Sequence, residues 1–230
     1  MRRTAVVTGA TSGIGLAAAK ALAARGIRVI GVGRDPGRAE AAKREVLAAA
    51  ADAGSEAEAA YVIGELSSTD GVRRLAADLR DRLEADGGRL DILVHAAGTV
   101  SSWHIATSEA YELQFAVNHL APFLLTHELL PCLRAAGASG QGAPRVLVVS
   151  SKSHYHTRIR WGDIMMRRHY HCLAAYKQSK LCNVLFAAEL ARREAVEALP
   201  VRTYAVDPGL VATDIGLKGT SGIVVLTEDE

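Results

Sequence analysis

The sequence predicts an α/β fold, a single doubly wound parallel sheet with helices on both faces. Three observations carry this reading. Short β-branched runs alternate with long Ala/Leu-rich amphipathic stretches. The strand candidates are nearly continuously apolar, as strands covered on both faces are. The 230 residues, 49% hydrophobic and 23% charged, suffice for one core without disulfide or metal staples.

The elements follow in order. Residues 4–8 (TAVVT) predict a strand, then a glycine-rich turn and a helix over 13–25. Residues 27–32 (IRVIGV) predict the second strand; Asp35 caps the helix over 36–52, with Pro36 at its first position. A strand at 60–64 precedes a helix over 68–86, where Ser67-Ser68-Thr69-Asp70 supplies a cap and N-terminal negative charge. Strands at 90–95 (LDILVH), 145–150 (RVLVVS) and 201–206 (VRTYAV) alternate with helices over 107–136 and 173–198. Gly137 to Gly142 reads as a flexible loop, not a domain boundary. Residues 152–172 are polar and rich in His and Arg, and they interrupt the alternation. Such a long irregular segment is usually functional; a mobile loop on a substrate rim is expected.

Composition excludes several classes. The formal charge is +2, from 27 Lys+Arg against 25 Asp+Glu, so no dominant basic field points to nucleic acid. Aromatics are 5% of residues, too few for base-stacking platforms. Cys132, Cys172 and Cys182 form neither a CxxC pair nor an even set, which suits free thiols in a reducing compartment. There is no signal-peptide pattern and no run of about 18 apolar residues, so no transmembrane segment and a soluble, cytoplasmic protein are expected. His154, His156, His169 and His171 lack Cys or carboxylate partners at ligand spacing, so no metal site is expected.

Thr8-Gly9-Ala10-Thr11-Ser12-Gly13-Ile14-Gly15 joins the first strand to the first helix. Glycines let the backbone turn sharply and approach a pyrophosphate. The helix N-terminus then offers free N–H groups and a positive dipole end. The spacing is GxxxGxG rather than GxGxxG, and a ligand-free glycine turn is the plain alternative. The second strand ends Val32-Gly33-Arg34, without an acidic residue for a ribose 2′-hydroxyl. Arg34 can fork onto a 2′-phosphate, which predicts NADP(H) over NAD(H); the alternative is a solvated surface charge.

Tyr176 and Lys180 lie four apart, on one helical face. A lysine ammonium beside a phenol favours the phenolate, so a lowered Tyr176 pKa is expected. Such a tyrosine can exchange a proton with a hydroxyl or carbonyl near neutral pH. None of Tyr61, Tyr111, Tyr155, Tyr170 and Tyr204 has a lysine at the fourth following position.

Together these residues resemble the short-chain dehydrogenases/reductases over residues 4–214. The glycine loop 8–15 is similar to the family's cofactor loop, and Tyr176-Lys177-Gln178-Ser179-Lys180 to its YxxxK motif. Ser150-Ser151 matches the catalytic-serine position, with Ser151 favoured. Asn118 resembles the helix-borne catalytic Asn, and Asp207-Pro208-Gly209 through Thr213 the nicotinamide segment. The blocks 118–126, 150–154 and 175–186 and the long 152–172 insertion are similar to the retinol-dehydrogenase-like branch.

The resemblance implies a Rossmann-like fold and hydride transfer between NADP(H) and a carbonyl or alcohol carbon of a small apolar substrate. Tyr176 would be the general acid or base, Ser151 would orient the carbonyl, Lys180 would tune Tyr176 and bond the ribose, and Asn118 would hold a relay water. The implied cofactor residues are Gly9, Thr11, Ser12, Gly13, Ile14, Gly15, Arg34, Glu65, Leu66, Ala97, Gly98, Tyr176, Lys180, Pro208, Gly209 and Thr213. The helix pair 107–136 and 173–198 resembles the family's dimerisation pair, so a homodimer is expected.

The chain departs from the family in three places. His95-Ala96-Ala97-Gly98 replaces NNAG, and His95 is expected to substitute structurally. Glu65-Leu66 stands where Asp is common. Residues 1–214 read as the dinucleotide-binding and catalytic domain, and 215–230 as a short tail in place of the substrate-capping helices and last strand. Val224-Val225-Leu226 is a candidate short strand there. The C-terminally shortened pattern keeps a non-catalytic NADP(H)-binding or scaffolding protein as the alternative. A nucleoside-diphosphate-sugar-type epimerase would need a larger C-terminal domain.

Overall fold

The computed structural model describes residues 2–85, 87–140, 142–197, 201–209 and 211. In chain order they form β1 (Thr4–Thr8), α1 (Gly13–Ala23), β2 (Arg28–Gly33), α2 (Pro36–Asp52), β3 (Ala59–Ile63), α3 (Thr69–Glu84) and β4 (Ile92–His95). A helical run of α4 (Leu113–Phe115), a π-helical turn (Ala116–Leu120) and α5 (Ala121–Ala138) follows. β5 (Arg145–Val149), α6 (Cys172–Val196) and β6 (Arg202–Val206) complete it. The strands pair in parallel in the order β3-β2-β1-β4-β5-β6. The order reverses between β1 and β4, and the crevice at such a switch point is where ligands bind in open α/β sheets.

β1 is buried along its whole length, and its side chains alternate between two cores. Val6 joins Ile30, Leu93 and Val146 beneath Leu79 of α3 and Leu125 and Leu129 of α5. Ala5 and Val7 join Val29 and Ile92 against Ala19 and Ala23 of α1 and Val46 of α2. Each fully buried leucine contributes roughly 1.5–3 kcal/mol relative to exposure. Both cores hold the strands' carboxyl ends in place.

Two expected caps form. Asp35 Oδ1 accepts from Arg38 N at 2.7 Å, and Ser68 Oγ from Gly71 N at 3.1 Å.

The helix expected over 107–136 instead begins at 113. Ala110 has φ +61°, and Thr107 N donates to Tyr111 O at 2.8 Å, which makes 107–111 a turn. The buried Glu112 carboxylate then accepts from Gln114 N and Phe115 N at 3.0 and 2.7 Å and starts the helix. The π-helical turn has a local cause. Pro122, four residues after Asn118, has no N–H to return to the Asn118 carbonyl.

The 152–172 segment, expected as a loop on a substrate rim, is hydrogen-bonded to neighbouring elements at several points. It contains 3₁₀ turns at Lys152–His156 and Trp161–Asp163. Gln178 of α6 accepts from Arg160 N and donates to Ile164 O, both at 2.9 Å. The Asp163 carboxylate accepts from Arg167 N and Arg168 N at 2.9 and 3.1 Å. Tyr170 donates to Ser101 O at 2.7 Å, and the His104 ring lies 3.0 Å from Met165 O. Thr213, the tail 215–230 and the candidate strand 224–226 lie outside the described residues.

Candidate active site

The β1–α1 turn needs its glycines. Gly9 has φ +67°, and a Cβ on it would lie 2.8 Å from the Ala97 backbone. A Cβ on Gly15 would lie 2.3 Å from the Gly9 carbonyl oxygen. The turn therefore packs flat against the residues after β4 and presents the first turn of α1 to the crevice. Ser12, the N-cap of α1, makes no side-chain cap hydrogen bond, whereas Asp35 and Ser68 cap α2 and α3. The N-terminus of α1 lines the cleft, where the positive end of a helix favours an anion.

A cleft of about 410 Å³ opens here. Gly9, Thr11, Ser12, Gly13 and Ile14 line it from this turn, and Arg34 from the end of β2. Glu65 and Leu66 follow β3, and Ala97 and Gly98 follow β4. Ten of the sequence-predicted cofactor residues thus share one cleft. Gly15 sits behind it, against Gly9. Pro208 and Gly209, just past β6, are not among its lining residues.

Arg38 also lines the cleft and was missed by sequence reasoning, because its backbone role in the Asp35 cap hides where its guanidinium goes. Burial pushes the Glu65 carboxyl up, but hydrogen bonds from Ser67 and Leu66 and the Arg34 charge hold it below its ordinary value. A glycine cradle, a helix N-terminus and two guanidinium groups suit a phosphorylated dinucleotide.

A second group of residues gathers on α6. The Ser151 hydroxyl lies near enough to the Tyr176 phenol to pull its pKa down and accepts from Ser153 Oγ at 3.0 Å. Ser150 is buried and donates to Lys180 O at 2.9 Å, which ties the end of β5 to α6. Lys180 is 3% exposed. Its Nζ donates to Val149 O at 2.9 Å and lies 5.5 Å from the Tyr176 ring centroid.

Burial pulls the Lys180 pKa down to about 8. Tyr176 goes the opposite way from the sequence expectation. Burial pushes it above its ordinary value, the Ser151 hydroxyl pulls it down, and the Asp207 charge raises it. The physical reason is position: the ammonium lies over the ring and binds a main-chain carbonyl, so it does little for the phenolate oxygen.

Asn118 links the two groups. Its Oδ1 accepts from Thr99 N at 2.8 Å, and its Nδ2 donates to Thr99 O at 3.0 Å and Ser179 Oγ at 3.1 Å. Thr99 lines the cleft, and Ser179 Oγ donates to Tyr176 O at 2.7 Å. The Asn118 carbonyl, freed by the π-helical turn, accepts from Asn183 Nδ2 at 2.8 Å. Asn183 Oδ1 in turn lies 3.1 Å from His119 Nδ1. Thr99, Ser179 and Asn183 were not singled out from sequence as parts of this network; Pro122 was the local signal for the freed carbonyl.

Other singled-out residues are structural. His95 is 2% exposed and its Nε2 lies 2.7 Å from Thr126 Oγ1; burial pulls its pKa down to about 3. Burial pushes the Cys182 thiol up to about 11. Among the described residues, no group of three or more His, Cys, Asp or Glu is placed to hold a metal ion. No helix among them is long and apolar enough to cross a membrane.

A family model described as short chain dehydrogenase matches residues 3–221. The chain is 41% identical over 222 residues to human dehydrogenase/reductase SDR family member 13, covering 96% of this chain and 54% of that protein. It is 39% identical to mouse polyprenol dehydrogenase, covering 93% and 61%. It is 38% identical to human retinol dehydrogenase 14, covering 93% and 63%. The chain therefore spans a little over half to under two thirds of these curated relatives' lengths. Among solved structures, a Pseudomonas aeruginosa RhlG/NADP active-site complex superposes with TM-score 0.70 at 27% identity, covering 92% and 73%. A metagenomic short-chain oxidoreductase in complex with NADP superposes with TM-score 0.69 at 28% identity, covering 91% and 82%.

Proposed function

The chain belongs to the short-chain dehydrogenase family, and from that premise we propose that it is an NADP(H)-dependent oxidoreductase acting on a carbonyl or alcohol carbon of a small apolar substrate. The observation that carries the reading is Tyr176 beside the buried Lys180 on α6, linked through Ser179 and Asn118 to Thr99 on the wall of the dinucleotide cleft. Bound NADP(H) supplies or accepts the hydride.

The chain's residues do the rest. The glycine turn and α1 hold the pyrophosphate, and Arg34 and Arg38 hold the 2′-phosphate. Ser151 orients the substrate carbonyl with its hydroxyl. Tyr176, raised above its ordinary pKa, stays protonated through neutral pH and donates a proton during reduction. In oxidation the same group must first lose its proton, so the alcohol direction gains as pH rises. Lys180 bonds the ribose and shares the proton load, since it titrates at about 8. Asn118 keeps Thr99 against the cofactor and the Tyr176 turn in register.

Similarity to proteins named retinol and polyprenol dehydrogenase supports an apolar substrate. The outer face of α5 and α6 exposes Phe123 and Leu185 at 50% and 49% and supports a homodimer across that face.

The test compares wild type with Tyr176→Phe by NADPH fluorescence titration and by NADPH consumption on an aldehyde panel. Both should bind NADPH alike, and turnover should fall by about 10²–10⁴-fold in the variant. Binding by both with turnover by neither would favour the non-catalytic NADP(H)-binding alternative. Absence of NADPH binding would overturn both readings.

A further inference from the structure

The segment 152–172 carries five cations, Lys152, Arg158, Arg160, Arg167 and Arg168, against one carboxylate, Asp163. The whole chain is only +2, so the remainder is net negative. All five cations are exposed. Among the described residues, none forms a salt bridge with a carboxylate. Asp163 instead accepts from two backbone N–H groups.

The aromatic residues here are as unusual as the charge. The chain has two tryptophans, and both are exposed, Trp161 at 78% and Trp103 at 51%. Tyr155 adds a third ring at 73%. Tryptophan is ordinarily well buried. The loop carrying Trp103 is joined to the segment by the His104–Met165 contact and by Arg167 donating to Ala110 O at 2.9 Å. Gln178 and Tyr170 fix the backbone beneath, so these groups are displayed without much further ordering.

We propose that this surface docks onto anionic phospholipid bilayers. Lys and Arg clusters bind anionic headgroups, and Trp and Tyr rings settle at the headgroup boundary. A planar bilayer contacts one face of a protein, and the net negative remainder repels anions elsewhere. A long polyanion that wraps the protein would meet that repulsion. Docking would turn the mouth between Ser151 and Tyr176, which flank the segment in sequence, toward the lipid. The inference rests on surface chemistry and not on the catalytic reading; an inactive chain would dock equally well.

The experiment is vesicle co-sedimentation with intrinsic tryptophan emission, which reports directly because both tryptophans belong to the surface. The probes are mixed phosphatidylcholine–phosphatidylserine vesicles (about 3:1) and pure phosphatidylcholine vesicles. Wild type should sediment with the mixed vesicles at low salt, shift its emission to the blue, be released by high salt and ignore the pure ones. Each cation near an anionic surface contributes roughly fivefold, so Arg158→Gln/Arg160→Gln should weaken binding about 25-fold. NADPH titration of this variant should match wild type, which shows that it is folded. Trp161→Ser should weaken binding while leaving its salt dependence. Equal binding to both vesicle types, an unchanged double variant, or binding to heparin or duplex DNA without vesicle binding would each overturn the proposal. So would an emission shift that follows protein concentration alone and is unchanged by the mixed vesicles.

Discussion

Lys180 is expected to weaken the fold it serves. Its ammonium is buried and its pKa falls from 10.5 to about 8. The sign follows from proton counting. Between these values the unfolded chain holds a proton that the folded chain has released, so stability rises with pH across that window. At one unit per 1.36 kcal/mol, the lysine costs about 3 kcal/mol at pH 7 and about 1.5 kcal/mol at pH 9.5. Lys180→Met removes this cost but also removes the donor to Val149 O, worth about 1–2 kcal/mol. The variant should therefore be about 1–2 kcal/mol more stable than wild type at pH 7. That corresponds to about 2–4 °C in Tm for a chain of 230 residues. The advantage should vanish by pH 9.5. Urea or thermal melts of both proteins at the two pH values measure it, and taking the difference cancels the other titrating groups. A variant less stable than wild type at pH 7, or a difference that does not change with pH, would refute the reasoning.

Three further outcomes follow from the geometry. Arg34→Ala with Arg38→Ala should raise KM for NADPH by about 10–100-fold and leave NADH nearly unchanged, removing about 1.4–2.8 kcal/mol of phosphate binding; equal losses for both cofactors would contradict the assignment. Gly15→Ala places a methyl 2.3 Å from the Gly9 carbonyl and should lower Tm by about 2–6 °C, from an overpacking cost of about 1–3 kcal/mol, while weakening NADPH binding. His95, with its pKa pulled down to about 3, stays neutral when the unfolded chain protonates. Wild type should thus lose about 2 kcal/mol between neutral pH and pH 5 through this residue. Denaturant melts of His95→Asn should lack that component, and an unchanged pH slope would argue against it.

The sheet was legible because its strands are short, apolar and bounded by turn residues, and the capped helices were legible because capping is local. The helix start was not. Residues 107–112 have helical composition, but the turn at Ala110 and the buried Glu112 carboxylate set the boundary at 113. The glycine loop and the Tyr176–Lys180 spacing pointed to the cleft and to the α6 group because both are short-range patterns. The protonation bias of Tyr176 was not readable, since it depends on where the Lys180 ammonium comes to rest. Arg38 was hidden for a related reason: its place in the cleft depends on how α2 meets the β2 end. The Asn183–Asn118 bond joins residues 65 apart, a separation at which sequence offers no register.

That bond bears on the order in which the protein assembles. Until α6 arrives, the Asn118 carbonyl is an acceptor without a helical donor, and hiding it from water in that state costs about 1–3 kcal/mol. The π-helical turn therefore has reason to remain hydrated, or to fray, in any intermediate that lacks α6. Docking of α6 delivers Asn183, Tyr176 and Lys180 in one event, so the chemistry and the contact that seals its neighbour mature together. Amide exchange at residues 116–120 should then match that of α6 rather than that of the first three strands.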